Sequence, residues 1–355
     1  MALTKSQAAI WQKAKSLGSG TQAVGLEDGA CVYLIGTIAR DLGIADRFPE
    51  LPGDLPAFFA DVALRSLTVP GVEARPLFER LVASNRDADT YFACLASLHK
   101  ARLKYERILS TQPIPTLEQV GPRGLLQYGK MSGRALAGFL FWRKWFFDID
   151  NRAGQETGYL FEPIIAYAIG GTPAPAKRSP VKRHDNRSKG RQVDCILDEK
   201  AYEFKIRVTI AASGQGRWQE ELDFPLDCRE SGLQPVLVCM DATPNPKLEA
   251  LAQTFREHGG EVYIGDEAWR HLDELAGDTL SVFIEKYVRA PLQDLLAQAD
   301  DGMPDFAAKW SKEAIVLQVS GERLLIAREA AEPDDEIDDM EVDMPSDADD
   351  AMPGK

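Results

Sequence analysis

Apolar positions recur at helical spacing through roughly the first 148 residues and switch to strict alternation after residue 190. Thr4 stands where a cap is needed ahead of a helix from Lys5 to Leu17 that Gly18 ends, and a second stripe runs from Asp28 to Leu42 and stops at Gly43. A long helix is expected from Asp87 to Leu109, with Leu95, Leu98, Tyr105 and Leu109 on one stripe and Lys100, Lys104 and Arg107 on another. A solvated face is the simpler role for that basic stripe, and a face that follows phosphates is the alternative. Ser110 to Pro115 breaks the chain, and Gly121 to Gln127 reads as a loop entering a helix. The many large apolar residues between Ala135 and Phe147 imply a buried helix, with core packing preferred over contact with a second subunit.

Further along, Glu156 to Ile169 reads as a helix that Pro163 should bend or restart. Two β-type runs, Val193 to Leu197 and Tyr202 to Ile210, flank a polar turn at Asp198-Glu199-Lys200, which is a hairpin signal. A buried strand at Gln234 to Asp241, a helix from Pro246 to His258, a strand at Glu261 to Gly265 and a helical stretch from Asp266 follow. This alternation predicts an α/β fold with a mixed central sheet flanked by helices, behind an N-terminal helical domain. Ala314 to Ala327 reads as a small hairpin turning at Ser320-Gly321. The expected organisation is a helical domain over 1–148; a core over 149–292; an extension over 293–328; and an acidic, disordered tail over 329–355.

Composition changes the picture in one respect. The net charge of −14 argues against a nucleic-acid partner until its location is read, because twelve acids and one Lys fall between Glu329 and Lys355 and leave residues 1–328 at only −3. The seven Lys and Arg between Lys177 and Arg191 stand against a single Asp, and the Pro and Gly around them rule out a regular helix. Leading directly into Asp194, this run favours contact with a nucleic-acid backbone through Lys177, Arg178, Lys182, Arg183, Arg187, Lys189 and Arg191. The five cysteines lie apart with no CxxC pair, and the four histidines lack metal-ligand spacing, so neither a zinc site nor a disulfide framework is signalled. No apolar run approaches a membrane span and the N-terminus lacks a signal-peptide core, so a cytoplasmic location without membrane partners is expected.

The alternation in the second run carries the chemistry. Tyr202, Phe204, Ile206, Val208 and Ile210 share one face, so Glu203 and Lys205 share the other, with Asp194 across the hairpin within reach of a shared ion. A hard cation such as Mg²⁺ is commonly held by one or two carboxylates with water and substrate phosphate completing the shell. Asp194, Glu203 and the backbone carbonyl of Phe204 are the expected ligands, and Lys205 is placed to orient an attacking water or to stabilise a developing anion. This combination suits phosphodiester hydrolysis.

Asp194, eight intervening residues, then Glu203-Phe204-Lys205 resembles the PD-(D/E)xK nuclease superfamily, with Val193 in place of the motif's proline. Glu162, in Gly158 to Gly171, sits where that superfamily often places a further acid on a preceding helix. The resemblance covers roughly Gln155 to Ile264, and with the N-terminal extension and basic loop the chain looks most like a type II restriction endonuclease. It implies Mg²⁺-dependent cutting of double-stranded DNA at a short sequence by Asp194, Glu203, Lys205 and Glu162, a restriction-endonuclease-like core, a homodimer, and a companion methyltransferase that protects the same site. The segment after the lysine strand commonly approaches DNA in such enzymes, which makes Gln215, Arg217 and Gln219 candidate contacts. The rivals are a repair or recombination nuclease that reads DNA structure, and a non-catalytic DNA-binding protein on the same fold.

Overall fold

The structure, a computed structural model, describes residues 3–18, 22–120, 132–157, 160–206, 215–297 and 305–329; the side chains of 155–157, 215–217 and 296 lie outside that description. Four N-terminal helices come first: α1 (Lys5–Lys15), α2 (Asp28–Asp41), α3 (Ala74–Ser84) and α4 (Ala88–Thr111). The Thr4 side chain accepts from the Gln7 N–H while the Gln7 side chain returns to the Thr4 N–H, a complete capping box. The basic stripe of α4 is neither solvated nor free for phosphates along its length. Lys100 donates to the carbonyls of Lys13 (3.1 Å) and Ser16 (2.8 Å) at the end of α1, and Arg107 donates to the Ala23 carbonyl (3.3 Å). These cations satisfy carbonyls that a helix end and loop leave open.

Helix α5 (Gly133–Thr157) is longer than its apolar run, and only one side of it is core. Leu136, Leu140, Trp145 and Ile149 are buried while Phe139 and Phe147 are exposed at 44% and 61%. The helix expected over Glu156 to Ile169 is divided: α5 ends at Thr157 and α6 spans Phe161–Ala168. Pro163 falls in the first turn of α6, where its missing N–H has no helical acceptor to lose.

The central sheet has five strands in the order β1 (Thr172–Ala174), β2 (Val193–Leu197), β3 (Lys200–Lys205), β4 (Gln234–Cys239) and β5 (Glu261–Ile264). The first two pairings are antiparallel and the last two parallel. Strand β1 is absent from the sequence reading, since three residues are too few to show periodicity. Strand β3 ends at Lys205 rather than Ile210, and 207–210 lie outside the described residues. The helices α7 (Gln215–Glu230), α8 (Pro246–Glu257), α9 (Asp266–Ile284) and α10 (Ala290–Ala297) complete this part. A second, three-stranded sheet of β6 (Phe306–Trp310), β7 (Ala314–Val319) and β8 (Glu322–Ala327) contains the expected hairpin, with Ser320 and Gly321 both at positive φ (47° and 86°) as a tight two-residue turn demands.

The sheet's two faces sort the cores. Cys195, Tyr202, Phe204, Val236 and Val238 join a cluster that also takes in Trp11, Tyr33, Phe78 and Tyr91 of the N-terminal helices and Trp269 of α9. Val193, Ala201, Leu237 and Cys239 face Phe224 and Cys228 of α7 and Leu251 and Phe255 of α8. The result is a mixed sheet between two helical layers. All five cysteines are buried thiols. Among the described residues no helix is long and apolar enough to cross a membrane. The acidic tail from Ala330 lies outside the described residues.

Candidate active site

Leu197 pairs with Lys200, Ile196 with Ala201 and Cys195 with Tyr202, where the ladder ends; β2 is irregular between Val193 and Ile196, and Asp194 meets β3 through its side chain. The turn is therefore two residues, Asp198-Glu199, with Asp198 at φ 51°. Glu203 and Lys205 share the face of Ala201, which looks toward α7. Lys205 gives its carbonyl to the Met240 N–H (2.8 Å), so strand alternation turns the backbone of Phe204 toward β2, where its N–H donates to Asp194 Oδ2 (2.8 Å). Lys205 Nζ lies 2.7 Å from Glu203 Oε1 and 3.5 Å from Glu221 Oε1 on α7.

Electrostatics tie Glu162 to this group. Burial pushes its carboxyl up against the opposing pull of its own backbone N–H, and the charge of Glu203 pushes it further. Its Oε2 is buried with no hydrogen-bond partner. The Asp194 carboxyl is driven well above the ordinary aspartate value, first by burial and next by Glu203, with the Phe204 N–H and Lys205 pulling back and Glu162 adding to the rise. Burial alone would lower the pKa of Lys205, but Glu203 and then Glu221 hold it above the ordinary lysine value. Three carboxylates and one ammonium, all influencing one another, leave a desolvated excess of negative charge.

That excess is what a divalent cation would relieve. Among the described residues no group of three or more His, Cys, Asp and Glu side chains forms a metal cage by itself. Two carboxylates and a carbonyl nevertheless fit a cation that keeps waters and takes substrate phosphate into its shell. The unpartnered Oε2 of Glu162 is a further acceptor facing the same charge. The residues present fit such an ion.

The basic loop has partners of its own. Arg183 pairs with Glu220 (2.9 Å) and Arg187 with Glu230 (2.8 Å), while Lys182 Nζ donates to the Ser179 carbonyl (3.0 Å). Arg191 is buried at 7% exposure and bound to Asp227, so its guanidinium braces the loop rather than facing outward. Lys177, Arg178 and Lys189 are exposed. Gln219 donates to Asp223 (2.8 Å) on the exposed face of α7, and the side chains of Gln215 and Arg217 lie outside the described residues. Sequence reasoning missed Glu221 and Asp227 altogether. The available signal was the recurrence of acids at 220, 223, 227 and 230, which fall on one helix face.

Comparison with known proteins decides the affiliation. The family model of ApaLI-like restriction endonucleases matches residues 72–289, which is most of the chain and includes all four site residues. The chain belongs to the ApaLI-like restriction endonuclease family. It is 44% identical over 290 residues to the type II restriction enzyme ApaLI of Acetobacter pasteurianus, an alignment covering 76% of this chain and 77% of that protein. No solved structure matches it. Type II restriction endonucleases are in general metal-dependent, in keeping with the acid-rich site. The matched span of this ApaLI-like chain begins just before α3 and ends within the π-helical turn Glu285–Arg289, so the sheet, α7 and the basic loop lie inside it and the three-stranded sheet lies outside.

Proposed function

We propose that the protein is a type II restriction endonuclease that hydrolyses double-stranded DNA at a short defined sequence with Mg²⁺. The observation that carries this reading is the convergence of Asp194 on β2 with Glu203 and Lys205 on β3, Asp194 being held by the Phe204 N–H that lies between those two, inside the span that matches the family. Asp194, Glu203 and the Phe204 carbonyl would hold the cation, and Glu162 would assist it directly or through water. When bound, the ion supplies a water of lowered pKa and neutralises charge growing on the phosphate.

The protein's own groups do the rest. Lys205, kept protonated by Glu203 and Glu221, presents a fixed positive charge beside the two carboxylates. It orients the attacking water and stabilises the phosphorane-like charge as it develops. Asp194 is oriented by the Phe204 N–H, which fixes one oxygen and leaves the other for the ion. The exposed cations Lys177, Arg178, Arg187 and Lys189, with Lys182 and Arg183 next to them, are suited to the DNA backbone, and Gln215, Arg217 and Gln219 at the start of α7 are candidates for closer reading of the duplex. A palindromic site would be met by a homodimer, the helical region over 1–148 contributing recognition or dimer contacts, and a methyltransferase of the same specificity would protect the cell's own DNA in the cytoplasm.

Incubation of the purified protein with unmethylated phage DNA, in Mg²⁺ or in EDTA, tests this on a gel. Discrete Mg²⁺-dependent fragments are expected. A smear would point to a nuclease that reads structure or nothing at all, and intact but retarded DNA would leave a binding protein.

A further inference from the structure

The acids of α7 and the cations of the basic loop are in register. Glu220, Asp223, Asp227 and Glu230 follow one another at steps of three, four and three, so they form one stripe along the helix. Two tiers of contact result. In the inner tier Asp227, fully buried, accepts from the His184 N–H (2.6 Å), from His184 Nδ1 (2.7 Å) and from Arg191 Nε, while Arg191 Nη1 donates to the Glu220 carbonyl (2.9 Å). In the outer tier Arg183 meets Glu220 at 2.9 Å and Arg187 meets Glu230 at 2.8 Å, with 31% to 68% of each side chain exposed.

These tiers differ in strength by their physics. Removing one member of a buried ion pair strands the other and is expensive, whereas an exposed pair contributes only about 0–1 kcal/mol. The loop therefore has a fixed base and an exchangeable tip, and the base lies three residues ahead of Asp194. Contacts to phosphate dominate sequence-independent binding. Besides the buried Arg191, the two arginines of the exposed tier, Arg183 and Arg187, are already occupied by carboxylates, and any DNA must displace those carboxylates to use them.

We propose that Glu220 and Glu230 are specificity-determining residues: they hold Arg183 and Arg187 back from DNA of the wrong sequence and release them when a recognised site supplies the remaining contacts. This rests on the DNA-cleaving function proposed above. Discrimination then comes partly from weakening the wrong complex, since a competing carboxylate penalises the encounter that offers phosphates and nothing else.

The test uses the full chain with Ca²⁺ in place of Mg²⁺, and measures affinity for a duplex carrying the sequence cut by the parent and for one lacking it, across a salt series. Glu220→Gln and Glu230→Gln are each expected to tighten binding to the siteless duplex several-fold and to steepen its salt dependence by about 0.9 in log–log slope for each arginine freed. The ratio of affinities for the two duplexes should fall. Asp223→Asn removes a charge from the same stripe whose hydrogen bond comes from Gln219 rather than an arginine, and should leave the slope as in the parent. Unchanged or weaker siteless binding in the glutamine variants, or an equal effect of Asp223→Asn, would overturn the proposal. The siteless measurement needs no cutting, so it is separate from the gel assay on the parent, whose failure would remove the nuclease reading instead.

Discussion

Lys205 Nζ stands 2.7 Å from Oε1 of Glu203, two positions back on the same strand and on the same face of the sheet. The contact exists because period-two alternation puts both side chains on the face turned to α7. It also sets the first prediction. Lys205→Ala should lower cleavage by at least about 10²–10³-fold, the usual loss when a preorganised charge at a transition state is removed, while affinity for DNA in Ca²⁺ stays close to the parent's. Single-turnover cleavage and a gel-shift titration read the two effects separately. Comparable cutting by the variant would end the assignment of Lys205.

Asp194 should be costly to the fold in its ionised form. Its folded pKa is raised by burial and by Glu203, and a carboxyl raised above its unfolded value of about 3.9 favours the fold most at low pH and loses that contribution as pH rises through the folded value. At neutral pH the charge is therefore a burden. Asp194→Asn keeps an oxygen to accept from the Phe204 N–H and removes the charge. In EDTA the variant should be more stable by on the order of 1 kcal/mol, a rise of about 2–4 °C in melting temperature for a chain of this size. Added Mg²⁺ should raise the melting temperature of the parent more than that of the variant. A variant that melts lower than the parent in EDTA would refute the account.

The hairpin was legible because alternation is a local property: a short polar turn and a period of two suffice to put Glu203 and Lys205 on one face, whereas the irregularity of β2 between Val193 and Ile196, beside which Asp194 accepts from the Phe204 N–H, has no local signal. Glu162 was named only through the family resemblance, and Pro163 marked the stretch in which α5 and α6 are divided without giving the boundary that puts Glu162 in a first turn. What escaped depends on packing between distant segments. Arg191 reads as one more cation in a basic run, and only the docking of α7 shows it sealed against Asp227. The cations of α4 read as a surface stripe until the loop after α1 folds over them.

Glu221 is the contact to Lys205 that no motif announces. At 3.5 Å and one-third exposed it is a weak second anchor that holds the ammonium from the α7 side. Glu221→Gln should slow the cleavage step by up to about fivefold, the size of a partly exposed ion pair of about 1 kcal/mol, without changing affinity for DNA in Ca²⁺. Because Glu221 also raises the Lys205 pKa, the alkaline limb of the pH–rate profile should move to lower pH in the variant. An alkaline limb that stays in place would show that Glu221 does not act through Lys205.

His184 gives the loop a pH-dependent hold. Its pKa is raised, chiefly by its hydrogen bond to Asp227 and against the effect of burial, with Asp227, Asp223 and Asp185 adding to the rise through their charge. A histidine whose folded pKa exceeds its unfolded value of about 6.5 adds stability that is fully present below that value and is lost as pH rises through the folded one. The loop should therefore be held most firmly in mild acid. His184→Gln retains a donor for Asp227 without the charge, so the melting temperatures of parent and variant should differ most below about pH 6.5 and converge as pH climbs past the raised value. The same titration followed by NMR on the His184 ring should give a midpoint above that of an ordinary histidine. A gap between the two proteins that stays constant across the pH range would mean that the imidazole serves Asp227 in its neutral form, with Arg191 alone supplying the charge that Asp227 requires in its buried position.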